Sequence, residues 1–198
     1  MRSGGVSFEQ ATSLPIAGLA ALRVGGPLLG RQVLVTGATG GVGQFAVQLA
    51  VAAGANVTAQ LSQRERQDEA RALARTTSSS RWTTRASGRS ISCSNGVGAP
   101  ILEDAVHRLA PGATAGRTAR SAGPPNWGSA ISPRLPAARS WAFSHSYPED
   151  TKDLDLAGLV ADGRLEPRLG LVPDWEQTHE ALDALRKRDV RGKAVLRR

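Results

Sequence analysis

The amino-acid sequence predicts an α/β fold with a doubly wound parallel sheet, and three features carry this prediction. Residues 32–36 form a short, valine-rich apolar run that is typical of a strand buried in a parallel sheet. A glycine-rich turn follows at 37–43, and the apolar residues over 44–54 then recur with helical spacing. A second apolar run over 56–61 completes a strand–helix–strand unit, whose crossover is right-handed by rule.

The segment before the first strand predicts an initial loop and a helix within 6–22. Thr12 or Ser13 can cap this helix, because a side-chain hydroxyl accepts a hydrogen bond from a free backbone N–H of the first turn. Pro15 then suits the first helical turn, where its missing N–H is not needed. The Gly-Gly-Pro sequence at 25–27 ends the helix.

The last fifty residues show clear patterns again. We expect Asp150 or Thr151 to cap a helix that includes 156–160. Asp174 and Gln177 form a variant of the capping box in front of one more helix. Residues 192–196 (GKAVL) then have the composition of a final strand.

Two stretches break this alternation of strands and helices. Arginine, serine and threonine supply 14 of the 18 residues over 75–92, where an apolar strand is expected, and 113–143 has no sustained period. We therefore expect the sheet to be incomplete or distorted around 75–95 and 113–143. One interpretation is out-of-frame translation of a GC-rich gene, because a one-base shift turns GTC (valine) into TCG (serine). That hypothesis predicts the loss of two or three central strands, and a genuine, disordered basic insertion is the alternative.

The charge of the chain is concentrated in the same region. The net charge is +8, and the window 70–148 has 10 arginines, no lysine and 2 acidic residues. The rest of the chain is neutral, so the basic excess belongs to the irregular stretches and not to a designed patch. We therefore do not expect a nucleic-acid partner, although a basic nucleic-acid-binding protein stays as a third hypothesis.

Composition excludes several other classes of protein. The 198 residues suffice for one domain with a sizeable core, and the single Cys93 excludes an intramolecular disulfide framework and a cysteine zinc cluster. His107, His145 and His179 lie too far apart in sequence for ligand spacing, so we expect no metal. No secretory signal and no apolar run of 18 residues is visible, which predicts a cytoplasmic protein without a membrane partner.

The turn between the first strand and its helix is the motif that carries chemistry. Its free backbone N–H groups and the positive end of the helix dipole make an anion site. In the G-x-G-x-x-G pattern of Rossmann-type dinucleotide sites, Ala38, Gly40 and Gly43 hold the three glycine positions. Gly40 would let a pyrophosphate approach the backbone, and Gly43 would let the helix pack closely on the strand. A purely structural glycine turn in another α/β fold is the alternative.

The end of the second strand indicates which nicotinamide cofactor fits. An acidic residue that binds the ribose hydroxyls of NAD should lie about 20 residues beyond the motif, but 57–63 contains none. Ser62, Arg64 and Arg66 lie there instead. A hydroxyl and guanidinium groups suit a 2′-phosphate, so we expect NADP(H) in preference to NAD(H). Two arginines on a solvated helix face are the simpler explanation.

Several segments together resemble the medium-chain dehydrogenase/reductase superfamily, and in particular its zinc-independent, quinone oxidoreductase-like branch, whose members are often labelled zinc-binding dehydrogenases. The run VLVTGATGGVG at 33–43 is the most specific of them. The matching segments are 6–11, 14–19, 33–43, 45–50, 97–98, 107–112, 159–167 and 192–196.

The resemblance implies an oxidoreductase that transfers hydride from NADPH to a quinone, an enone or a similar small carbonyl substrate. It places Ser62 and Arg66 on the 2′-phosphate, and Lys193 and the segment before Pro148 near the nicotinamide. The full set of cofactor-binding residues that we expect is Thr39, Gly40, Gly41, Val42, Gly43, Ser62, Arg64, Arg66, Val97 and Lys193.

The resemblance also implies that one domain of the family is missing from this chain. Proteins of this family carry an N-terminal catalytic domain before the point that matches residue 1, so half of the substrate cleft is expected to be absent. We divide the chain into a junction segment (1–30), an NADP-binding Rossmann domain (31–170) and a C-terminal helix and strand (171–198). Whether the chain is an enzyme stays open, the alternative being an inactive fragment that at most binds a nucleotide. Relatives commonly dimerise through a sheet edge, so a homodimer stays open as well.

Overall fold

The computed structural model of the protein establishes the path of the sheet and of the helices that flank its first strands. The residues that it describes are 5–25, 28–61, 68, 71–73, 82–83, 90–95, 105, 109–117, 139–142 and 156–198.

The main sheet has six strands, all paired in parallel. Their spatial order is β3-β2-β1-β4-β5-β6, in which the chain moves outward from β1 in one direction and then resumes at β4 on the other side. This is the strand order of the Rossmann fold, and it confirms the predicted doubly wound α/β class. The strands are β1 (Gln32–Thr36), β2 (Asn56–Gln60), β3 (Trp82–Thr83), β4 (Ser90–Asn95), β5 (Leu109–Arg117) and β6 (Arg139–Ala142).

The first strand lies at the centre of this sheet, as its apolar sequence predicts. β1 pairs with β2 from Gln32 to Thr36 and with β4 from Val33 to Thr36. Every residue of β1 after Gln32 is buried, because parallel strands are covered on both faces. The carboxyl ends of β1, β2 and β4 therefore reach the same edge of the sheet, where the glycine turn begins.

The two irregular stretches contain strands. The expected distortion around 75–95 is confirmed, since β3 has two residues and the register between β4 and β5 shifts between Ser90 and Ser92. The stronger expectation that central strands would be lost is wrong, because β4 and β5 occupy their places in the sheet. Pairing satisfies backbone N–H and C=O groups whatever the side chain, so a serine-rich segment can complete a ladder beside an apolar strand.

The described structure also contains four helices with defined bounds, short helical stretches at 68, 71–73 and 105, and a second, smaller sheet. β7 pairs in parallel with β8, apart from the main sheet, so the predicted final strand is confirmed in a separate ladder. The division of the chain at residue 170 stays a prediction. These elements are α1 (Phe8–Gly25), α2 (Gly43–Ala52), α3 (Leu156–Ala161), β7 (Leu169–Leu171), a 3₁₀ turn (Trp175–Gln177), α4 (Thr178–Lys187) and β8 (Lys193–Ala194).

The first helix begins earlier than the sequence predicts. Ser7 caps it, since Ser7 Oγ accepts the Gln10 N–H at 3.2 Å and Gln10 Oε1 accepts the Ser7 N–H at 3.0 Å. These reciprocal bonds make a capping box, so the expectation that Thr12 or Ser13 caps the helix is wrong. Their hydroxyls donate to backbone carbonyls one turn back. Pro15 lies inside the helix and not in its first turn, and its exposed position leaves the unpaired carbonyl one turn back open to water.

The predicted capping box before the last helix is also wrong. The 3₁₀ turn lies between Asp174 and α4, and neither Asp174 nor Gln177 makes a side-chain cap bond. Asp174 instead forms an isolated parallel bridge with Arg197, whose carbonyl accepts the Trp175 N–H at 2.6 Å. Arg197 Nε also lies 3.9 Å from Glu9 Oε1. The end of the chain is thus attached to the start of α1.

One hydrophobic core holds α1 and α2 against β1 and β2. Phe45 and Val47 of α2 are fully buried in it, and Leu14 and Ala17 of α1 join the same cluster. Gly18 permits the close approach of α3, because a Cβ atom there would lie 2.9 Å from Leu156 Cδ1. This core fixes the position of α2 and therefore of the turn in front of it.

Candidate functional site

The glycine turn leaves the end of β1 and is tied to the end of β2. Gly37 has a φ of +65°, a conformation that favours glycine, and its N–H donates to the Gln60 carbonyl at 3.1 Å. The Ala38 N–H donates to the same oxygen at 3.4 Å, and the Gly40 N–H closes the turn on the Gly37 carbonyl at 2.9 Å. The turn is therefore held by the ends of two strands and by a hydrogen bond of its own.

Gly43 performs the packing role that its place in the motif predicts. A Cβ atom at this position would lie 2.8 Å from the Gly37 carbonyl carbon, 2.9 Å from Ala38 Cα, and closer still to the Gly37 carbonyl oxygen. These are backbone atoms held by strand pairing, so they cannot move aside for a side chain. The absence of a side chain at Gly43 is what lets α2 start directly behind β1.

Four backbone N–H groups at this turn are available to a ligand. Within the described part of the chain, no atom accepts from the N–H of Thr39, Gly41, Val42 or Gly43. Val42 is the N-cap of α2 and provides no side-chain cap, and the first turn of α2 contains no acidic residue. Unpaired N–H groups and an uncompensated helix dipole favour an anion at this place.

Two glutamines of α2 hold a distant segment of the chain against the helix. Gln44 Oε1 accepts the Arg168 N–H at 2.6 Å, and Gln44 Nε2 donates to the Arg168 carbonyl at 3.2 Å. Gln48 does the same for Glu166, at 2.8 Å and 3.0 Å. The two side chains are 0% and 1% exposed. Each amide thus imitates a strand partner for a backbone that would otherwise be buried without hydrogen bonds.

The sequence analysis missed these two glutamines, although α2 carries a signal that could have identified them. The helix has no charged residue over its ten positions, which indicates a helix buried on all sides. A glutamine in such a helix must find a buried partner. The spacing of Gln44 and Gln48 places both amides on one face, one turn apart.

The segment held by Gln44 brings Lys193 to the glycine turn. The Lys193 N–H donates to the Arg168 carbonyl at 3.0 Å, and the Gly192 N–H donates to the Thr39 carbonyl at 3.2 Å. A Cβ atom at Gly41 would lie 3.2 Å from Lys193 Cδ. The structure therefore brings Lys193 together with the turn residues that the sequence analysis selected.

The edge of the sheet also has an unsatisfied acceptor at the end of β2. Gln60 Nε2 donates to the Leu61 carbonyl at 3.3 Å, but Gln60 Oε1 is buried and has no hydrogen-bond partner among the residues that the structure describes. Buried polar atoms are normally paired, so this oxygen fits a ligand that brings a donor, such as a ribose hydroxyl. The turn thus offers hydrogen-bond donors, and Gln60 offers an acceptor, at the same edge of the sheet.

The structure does not describe the other residues that the sequence predicts for the site. Ser62, Arg64, Arg66 and Val97 lie outside the described residues, as does the segment before Pro148. Among the residues that the structure does describe, no group of three His, Cys, Asp or Glu side chains could hold a metal ion. Over the same ranges, no helix has the length and apolar character needed to cross a bilayer.

Comparisons with known proteins identify the fold. No protein-family model matches the chain, and no curated protein matches it by sequence. Among solved structures, quinone oxidoreductase from Coxiella burnetii superposes with a TM-score of 0.77 at 21% identity, over 99% of this chain and 62% of that one. Quinone oxidoreductase from Pseudomonas syringae pv. Tomato DC3000 gives 0.76 at 22% identity, over 96% and 65%. An NAD-dependent alcohol dehydrogenase gives 0.77 at 23% identity, over 97% and 59%.

These matches confirm the resemblance at the level of fold. The chain has the fold of the part of these quinone oxidoreductases and this alcohol dehydrogenase that it covers. It spans about three fifths of the length of these proteins.

Proposed function

We propose that this chain binds a nicotinamide dinucleotide at the 37–43 turn and forms the cofactor-binding part of an oxidoreductase. One observation carries the proposal: the N–H groups of Gly41, Val42 and Gly43 are unpaired within the described structure, at the start of a helix with no cap of its own. A pyrophosphate would accept from these groups and neutralise the helix dipole. Lys193, beside Gly41, would add a positive charge.

The sheet topology supports this position for the ligand. The strand order reverses between β1 and β4, which creates a crevice at their carboxyl ends. In open α/β sheets, ligands bind in such a crevice. The turn after β1 opens onto this point, and the end of β4 at Asn95 lies across from Thr36. A dinucleotide with its pyrophosphate on the turn would therefore extend one half towards β2 and the other towards β4.

NADP(H) is the cofactor that we propose in preference to NAD(H). No acidic side chain lies between Val57 and Leu61, where NAD-binding proteins of this fold hold the ribose. Ser62, Arg64 and Arg66 follow directly in the sequence and can bind a 2′-phosphate. Gln60 Oε1 remains as an acceptor for a sugar hydroxyl.

The reaction that we propose is reduction of a quinone, an enone or another small carbonyl compound. The bound cofactor supplies the hydride, so the protein has little acid–base work to do. The turn residues bind the phosphates, and rigid attachment to β1 and β2 orients the cofactor towards the crevice.

Titration with NADPH, followed by its fluorescence, tests the proposal. We expect saturable binding of NADPH, with weaker binding of NADH. Absence of binding of either nucleotide up to millimolar concentration would overturn the proposal. Turnover of a naphthoquinone in the same cuvette separates an active reductase from a fragment that only binds nucleotide. Salt-sensitive binding of duplex DNA in place of NADPH would favour the nucleic-acid hypothesis.

A further inference from the structure

A buried amide side chain and a half-buried lysine are linked at the glycine turn through the backbone of one residue, Arg168. Gln44 lies in the first turn of α2 and is fully buried, and Lys193 opens β8. Both contact Arg168: Gln44 through its side chain and Lys193 through its backbone N–H. The inference below rests on the proposed function, because it concerns the same phosphate-binding turn.

The geometry fixes the backbone of Lys193 but not the tip of its side chain. The Arg168 carbonyl accepts from Gln44 Nε2 at 3.2 Å and from the Lys193 N–H at 3.0 Å. The Arg168 N–H is held at 2.6 Å by Gln44 Oε1. Gln44 therefore holds the Arg168 backbone at a fixed distance from the axis of α2. Because β7 begins directly after Arg168 and pairs with β8, the position of β8 is fixed as well.

Gly192, the residue directly before β8, gives a second attachment. Gly192 has a φ of +82°, and a Cβ atom there would lie 3.0 Å from Gln44 Nε2 and closer still to the Arg168 carbonyl oxygen. A side chain at position 192 would therefore collide with the Arg168 carbonyl and crowd the Gln44 amide. The Gly192 N–H also donates to the Thr39 carbonyl inside the turn.

The Lys193 side chain extends from this point over Gly41. A Cβ atom at Gly41 would lie 3.2 Å from Lys193 Cδ. No acidic side chain pairs with Lys193 among the residues that the structure describes. A lysine without an ion-pair partner, beside unpaired N–H groups, can give its charge to an anion at the turn.

We propose that Gln44 is a positioning residue for Lys193, and that Lys193 binds the diphosphate of the nucleotide. Lysine is a flexible point charge, so its contribution depends on where its backbone is fixed. Gln44 supplies that position through Arg168. Helix α2 thus provides the unpaired N–H groups and also sets the distance of the Lys193 ammonium group from them. The two parts of the proposed phosphate site therefore keep a fixed relative position.

Gln48 provides the matched comparison. It is equally buried, lies one turn further along α2, and holds Glu166 by the same pair of hydrogen bonds. Glu166 is two residues further from the β7–β8 pairing than Arg168. If both glutamines had only a structural role, their substitution would affect nucleotide affinity in the same way. If Gln44 positions Lys193, only the Gln44 substitution should selectively lower the affinity for the diphosphate.

Binding of ADP and of adenosine to the full chain tests the proposal by calorimetry. We expect Lys193→Met to weaken ADP about tenfold or more and to leave adenosine unchanged, because only ADP carries the diphosphate. Gln44→Met, which keeps the size of the side chain and removes both hydrogen bonds, should weaken ADP by a similar factor. Gln48→Met should leave the ratio of ADP to adenosine affinity as in the wild type.

The double variant, which combines Gln44→Met with Lys193→Met, distinguishes a positioning role from a general effect on stability. With Lys193→Met already present, Gln44→Met should cause no further loss of ADP affinity, since the positioned group is gone. If Gln44→Met does not fold, Gln44→Asn, which shortens the amide by one methylene, takes its place in the same cycle.

Three results would overturn the inference. Equal losses for ADP and adenosine in the Gln44 variant would show a structural role, and so would additive losses in the double variant. An unchanged affinity in Lys193→Met would remove the lysine from the site while leaving the proposed function intact. If the wild-type chain bound neither ADP nor NADPH, the proposed function itself would fail.

Discussion

Gln48 of α2 holds both backbone groups of Glu166, 118 residues further along the chain. Its Oε1 accepts the Glu166 N–H at 2.8 Å, and its Nε2 donates to the Glu166 carbonyl at 3.0 Å. With Gln44 one turn earlier, it attaches the C-terminal part of the chain to the helix behind the glycine turn. Removing this side chain would leave two backbone groups without partners.

We expect Gln48→Ala to lower the free energy of unfolding by about 2–4 kcal/mol, from the cavity and the unpaired groups together. Urea unfolding followed by circular dichroism measures it. Glu166→Ala is the matched control, because the Glu166 side chain is exposed and only its backbone takes part in the contact. We expect little change there, and equal losses in both variants would contradict the assignment.

The close contact at Gly43 gives a second prediction. We expect Gly43→Ala to destabilise the protein by about 3 kcal/mol, because the new methyl group would overlap the backbone of Gly37 and Ala38. Gly5→Ala is the comparison, since nothing lies within 4 Å of a Cβ atom there. Thermal unfolding of the two variants measures the difference. A Gly43→Ala protein as stable as Gly5→Ala would show that α2 does not start as close to β1 as the structure places it.

The start of α1 makes a prediction about pH. The pKa of the Glu9 carboxyl lies below its ordinary value, because its own backbone N–H and then the Ser7 hydroxyl donate to it, and Arg197 lies nearby. A lowered pKa contributes stability that is present above the unfolded-state pKa and is lost as the pH falls through the lowered folded-state value. Removing the Ser7 hydroxyl should therefore raise the Glu9 pKa towards its ordinary value.

An NMR titration of wild type and Ser7→Ala measures this pKa. The same substitution removes the Ser7 half of the capping box and should cost about 1 kcal/mol of stability. Thr12→Ala is the control, because the Thr12 hydroxyl donates to the Glu9 backbone carbonyl and not to its carboxyl group. The assignment would be wrong if Ser7→Ala left the Glu9 pKa at the wild-type value.

Cofactor preference gives a fourth prediction. We expect Arg66→Ala to weaken NADPH about tenfold or more and to leave NADH unchanged, because only NADPH carries the 2′-phosphate. Fluorescence titration of both nucleotides gives the two dissociation constants. Arg31→Ala is the control, since Arg31 precedes β1 at the opposite end of the strand from the turn. Equal weakening of both nucleotides by Arg66→Ala would contradict the NADP(H) assignment.

The sequence predicted the elements whose side chains face a core. β1, α2 and β2 followed from the apolar periods of their residues, since Val33, Phe45 and Val57 are all buried. The strands β4 and β5 were not predicted in place, because serine, alanine and glycine have no strong preference and their pairing depends on neighbours. The predicted helix caps were wrong for the first and the last helix. Ser7 caps the first helix in place of Thr12 or Ser13, and a 3₁₀ turn separates Asp174 from the last helix.

The site shows the same division between local and distant contacts. The glycine turn was visible in sequence because its spacing reflects a local strand–turn–helix geometry. The contact between Gln44 and Arg168 spans 124 positions, so no local pattern reports it. Lys193 was selected through family resemblance, and its nearness to Gly41 depends on the folded path of β7 and β8.

The pairing of β7 with β8 also determines where foreign sequence could be inserted. The chain leaves this ladder at Leu171 and returns at Lys193, and Leu169 and Lys193 are direct partners across it. The intervening excursion carries α4, whose residues except Ala181 are at least partly exposed. Its two ends are thus already held together, so added length costs only a slowly growing loop entropy. A small fluorescent reporter grafted after α4 would be anchored near the glycine turn without interrupting the six-stranded sheet.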